Sequence, residues 1–140
     1  MRLGALVISL LGAVAALPAA VYADDDECAA PRPEMQGTRH TGERASIAYR
    51  PIPAKVEVGK MFSLEVAACE GGQKVRAVRV DASMPEHRHG MNFKPEVTYR
   101  GKGYWIAEGL MFHMPGRWQL VIEVETSNGR ERIERDLVVE

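Results

Sequence analysis

Cysteine is scarce in this chain: Cys28 and Cys69 are the two present in 140 residues, which permits one pairing and no more. Charge of one sign is not in excess either. A formal net charge of -1 argues against nucleic acid as a partner, which usually demands a strong basic surplus. No internal repeat occurs, and outside the N-terminus no stretch has a convincing helical period. No nucleophile elbow, zinc-protease motif or phosphate loop is present, and nothing places a partner opposite Glu86 or Glu108 for acid–base work. These absences exclude the familiar hydrolase and nucleotide-binding classes, and the chain reads as a non-enzyme.

The N-terminus is the exception to the shortage of long apolar runs. Arg2 precedes an apolar stretch from Leu3 to Val21, followed by Val21-Tyr22-Ala23 and the acidic run Asp24-Asp25-Asp26-Glu27. Positive start, apolar middle and small residues at the cut site describe a secretory signal peptide over residues 1–23, cleaved after Ala23. A retained membrane anchor is the alternative. No Leu-x-x-Cys lipoprotein pattern precedes Cys28. The expected location is therefore periplasmic or secreted. Disulfides persist in such compartments, which favours a Cys28–Cys69 bond. The alternatives are a buried Cys69 with a free Cys28, or a cysteine serving as a copper ligand.

The remainder fits one domain. Residues 24–43 carry Pro31, Pro33, Gly37 and Gly42 among polar residues and read as a flexible arm, tied down only if Cys28 is bonded. His40 in this arm reads as solvated. From residue 44 to 140 the texture is β. Phe62, Leu64, Val66 and Ala68 alternate with Ser63 and Glu65, and Val78, Val80, Ala82 and Met84 alternate with Arg79, Asp81 and Ser83. Trp118, Leu120, Ile122 and Val124 form the clearest inward face. Turn signals stand at Gly71-Gly72, Gly101-Lys102-Gly103 and Asn128-Gly129. About seven short strands at this spacing predict an all-β, antiparallel sandwich.

One stretch stands apart from this pattern: Met84-Pro85-Glu86-His87-Arg88-His89-Gly90-Met91. It holds two of the four histidines, with a methionine at each end. If it runs extended, His87, His89 and Met91 share a face, and Gly90 is free to turn the backbone. Parity along the preceding strand sends Met84 to the opposite, core side. Imidazole nitrogen with thioether sulfur suits a soft metal, copper above all, with zinc or nickel as rivals. A second cluster, His113-Met114, lies downstream. There Leu110, Phe112 and Met114 share one face and leave His113 on the other. The alternatives are a polar loop with incidental histidines and, for His113, a ring bonded to backbone in a tight corner.

Three stretches resemble the YtkA-like domain family: Val58 to Phe62, Met84 to Met91, and Gly109 to Trp118. The resemblance covers roughly Ala45 to Glu140. It implies a small exported Ig-like sandwich, although the disulfide and tryptophan arrangement of antibody domains is missing. Some relatives are linked to copper handling or oxidase assembly. The chain is also similar to CopC-like copper carriers, but lacks their methionine-rich loop and N-terminal histidine ligand. Carried over by motif, the candidate metal ligands are His87, His89, Met91, His113 and Met114. The implied cargo is copper, Cu(I) favoured, with a membrane-bound cuproenzyme or its assembly factor as recipient. The competing expectation is a metal-free module that docks on a membrane-bound respiratory or assembly complex.

Overall fold

Alternation alone dictates most of the strands. In the computed structural model, which describes residues 27–29, 35 and 40–140, there are ten strands and no helix element. They are β1 (His40–Thr41), β2 (Ser46–Ile52), β3 (Met61–Glu70), β4 (Gln73–Lys74), β5 (Ala77–Met84), β6 (His89–Gly90), β7 (Glu96–Gly101), β8 (Tyr104–Met111), β9 (Gly116–Thr126) and β10 (Gly129–Val139). Three have two residues, which leaves the seven longer strands that the alternation predicts. The expected signal peptide, its cleavage after Ala23, most of the arm and the side chain of His40 lie outside the described residues. No helix among those residues is long and apolar enough to cross a membrane.

The strands form two antiparallel sheets. One has the order β1-β2-β3-β8-β7, with β4 on β3, and the other β10-β9-β5-β6. The seven long strands thus divide four and three, in the order of an immunoglobulin constant-type sandwich. Inward residues of both sheets make one core. Its centre is Trp118 stacked on Phe112 at 4.6 Å and 9°, with Phe62 edge-on to Phe112 at 5.0 Å. Such offset and edge contacts add to the area these rings bury.

Lys55 to Val58 form a loop whose Val56 and Val58 pack against the core. One expectation changes. The outer face of β3 is not wholly polar. Ala67 is buried there with Ala48 and Met35, so the arm covers part of that sheet. Beside them Glu65, 7% exposed, accepts a hydrogen bond from Arg50 Nε at 2.6 Å. A carboxylate so buried needs such a partner.

The arm is held at one end of the sandwich. Cys28 and Cys69 are bonded, with Cα atoms 6.1 Å apart. The Cys28 N–H donates to the Gly72 carbonyl and the Ala29 N–H to the Lys102 carbonyl. The β7–β8 turn lies against the sulfurs. A Cβ placed on Gly103 would stand 2.5 Å from Cys28 Sγ and 2.9 Å from Cys69 Sγ, and its φ of +79° also favours glycine.

Candidate metal centre

The opposite end of the sandwich carries the histidines. β5 pairs with β9 up to Ser83↔Gln119, which brings the Met84 turn beside the start of β9. There the chain reverses. Met84 pairs with His89 and Ser83 with Gly90, and the His87 N–H donates to the Met84 carbonyl at 3.1 Å. The turn is made by Arg88, at φ 56°, and not by Gly90. Gly90 is instead a close-approach position: an added Cβ would meet the Ala82 carbonyl at 3.3 Å.

This reversal changes the faces. Residues directly opposite in an antiparallel pair point the same way. Met84 is buried, so His89 comes back to its side, over the core tryptophan, and not to the opposite side as a straight strand requires. Met91 follows it, packed against the core, with its N–H on the Ala82 carbonyl. His87 stays exposed in the turn.

The second loop links β8 in one sheet to β9 in the other. Two backbone anchors hold it: the Gly59 N–H donates to the Phe112 carbonyl at 2.8 Å, and Trp118 Nε1 donates to the Met114 carbonyl at 3.0 Å. Met114 packs on the core, as its parity with Leu110 and Phe112 predicts. His113 turns toward His89. Their ring centroids are 5.0 Å apart, and both rings stand edge-on to Trp118, at 5.8 Å for His89 and 5.4 Å for His113. His87 lies 5.9 Å from His89 on the same measure.

Neither a family model nor a curated protein matches the chain. Among solved structures it is similar to a DUF4426 family protein from Pseudomonas aeruginosa PAO1, with 14% identity and a TM-score of 0.48 over 72% of this chain and 94% of that one. A likeness of that depth says nothing about what either protein binds.

The chemistry of the cluster rests on its own atoms. His89 Nδ1 lies 3.2 Å from the Gly90 carbonyl. A carbonyl only accepts, so Nδ1 carries the hydrogen in that contact, and in the neutral ring Nε2 then keeps its lone pair. His89 Nε2 and His113 Nδ1 are both buried without a hydrogen-bond partner. Buried polar atoms are nearly always paired, and a neighbouring pair of orphans is unusual. Among the described residues no group of three or more His, Cys, Asp or Glu is able to hold a metal ion. A cation here therefore has two imidazoles and must take thioether or solvent beyond them. Both cysteines are consumed by their bond, which removes the thiolate alternative.

One residue of this end had no sequence signal. Arg117 on β9 donates to Glu86 Oε1 from Nη2 at 3.0 Å and to Asp136 Oδ2 from Nη1 at 3.1 Å. Those bonds, Asp136 first and Glu86 second, push the guanidinium further above its ordinary range. Glu86 is thereby a strut that fixes the histidine turn to β9. The pairing depends on strand register, which composition around Glu86 does not disclose.

Proposed function

We propose that the chain is an exported copper-binding protein that carries Cu(I) between His89 and His113, with the thioether of Met91 or Met114 beside them and His87 at the rim. One observation carries the reading: the buried, unpartnered nitrogens of two adjacent imidazoles. Neutral imidazole and thioether together are soft and uncharged, which suits a soft monovalent ion and permits its release to a recipient. Kinship with YtkA-like domains belongs to the same proposal. Its support is that the motif stretches Met84 to Met91 and Gly109 to Trp118 supply the two loops that meet here.

The test is a Cu(I) titration of the protein against a chromophoric chelator. The native chain takes up one equivalent. His89→Ala and His113→Ala each lower the affinity at least tenfold, and His87→Ala has a smaller effect. Tryptophan fluorescence checks that Trp118 remains buried in each variant. Unchanged affinity in both His89→Ala and His113→Ala overturns the copper reading and leaves the metal-free docking module in its place.

A further inference from the structure

The edge strand β10 carries a second message, independent of the histidines. It is eleven residues long and lies at the end of its sheet, hydrogen-bonded to β9 along one side. Among the described residues no backbone-to-backbone hydrogen bond reaches it from the other side, and the Arg44 N–H meets the Glu131 side chain only. A long free edge is a template for another strand, and proteins usually blunt it with charge. Charge is plentiful here, but its order is unusual: Arg130-Glu131-Arg132-Ile133-Glu134-Arg135-Asp136 is opposite in sign about Ile133.

An antiparallel strand of the same sequence, centred so that Ile133 faces its own copy, sets Arg132 against Glu134, Glu131 against Arg135 and Arg130 against Asp136. Each pair is then made twice. Moving the axis one residue either way sets Arg132 or Glu134 against itself. Like charges directly opposite destabilise a sheet, and opposite charges stabilise it. A blunting charge of one sign repels a copy; this arrangement welcomes one in a single register.

The exposure fits. Ile133 is buried, so Arg130, Arg132, Glu134 and Asp136 share the outer face, with side chains 44% to 62% exposed. Glu131 and Arg135 face the sandwich side, where a Glu131 oxygen already accepts from the Arg44 N–H. The four outward residues now bond within the chain, Arg132 to Glu134 at 2.8 Å among them. We propose that β10 is the seam of a two-fold dimer, in which the four-stranded sheets of two copies join edge to edge. The occupant of the edge is a second copy of this chain.

Sedimentation equilibrium of the full chain, as the cell produces it, tests the seam. The native protein sediments as a dimer, and raising the salt weakens it. Arg132→Glu and Glu134→Arg each place like charges opposite one another twice, raising the dissociation constant at least about tenfold. An equimolar mixture of the two variants regains the dimer, because positions 132 and 134 are both acidic in one variant and both basic in the other, so that every facing pair is again of opposite sign. That recovery also shows that both variants are folded. A monomeric native protein, a dimer indifferent to both substitutions, or a mixture that stays monomeric overturns the proposal.

Discussion

Replacing Gly103 by alanine is a small change with a large expected cost, and the structure says how the cost divides. The first part is backbone. At φ +79° an L side chain meets its own carbonyl, which costs about 1–2 kcal/mol. The second part is contact. The new methyl would lie 2.5 Å and 2.9 Å from the two bonded sulfurs. Neither sulfur swings away alone, because each is covalently fixed to the other and to its own strand or arm. Overpacking of this kind costs about 1–3 kcal/mol. The total is about 2–5 kcal/mol. Opening the bond, whose cysteines are 41 residues apart, forfeits about 4 kcal/mol of loop-closure stabilisation, so yielding there brings no relief. Urea unfolding of four proteins separates the parts: native, Gly103→Ala, Cys28→Ala/Cys69→Ala, and the triple variant. In the sulfur-free background the glycine replacement should cost the backbone part alone. If its cost is the same in both backgrounds to within about 0.5 kcal/mol, the sulfur contact is not the cause.

Two further outcomes follow from the same geometry. Trp118→Ala removes a fully buried ring stacked on Phe112 and should destabilise the fold by about 3–5 kcal/mol, read from the urea midpoint, with the histidine cluster lost alongside. Glu70 accepts hydrogen bonds from the Ser127 hydroxyl and the Ser127 N–H, in that order of effect, which hold its carboxyl below the usual range. A depressed folded value means stabilisation that is present above about pH 4.3, the ordinary glutamate value, and lost as pH falls through the lower folded one. An NMR titration should show Glu70 protonating below its ordinary value in the native chain and moving back toward that value in Ser127→Ala, which loses the hydroxyl bond and keeps the backbone N–H bond.

Much of this molecule was legible beforehand where one rule sufficed. Period-two alternation placed Trp118 to Val124 and Val78 to Met84 with the correct faces, since both strands bury one side. Count, together with the expectation of export, favoured the Cys28–Cys69 bond. Face assignment failed where the chain turned without a glycine. Arg88 takes the positive φ, the hairpin doubles back, and His89 lands beside Met84 and not across from it. Burial on the outer face of β3 was hidden for another reason: Met35, which packs there against Ala67, comes from a stretch with no periodicity of its own. The demand on Gly103 arises only where a distant arm crosses a hairpin, and local sequence carries no record of that crossing. The charge order along β10 was in plain view, but it acquires meaning once the strand is known to be an edge.

The placement of the disulfide gives the sandwich a mechanical polarity. A load drawn along the N-terminal side of Cys28 enters at the Cys69 end of β3 through a covalent link, and the strand ladders are spared. β8 starts beside that anchor at Tyr104 and ends at Met111, two residues before His113. Its eight residues span about 25 Å at the usual rise of an extended chain. Anything that holds the protein by its N-terminal side therefore aims the histidine pole outward, as a mooring line aims the bow of a boat.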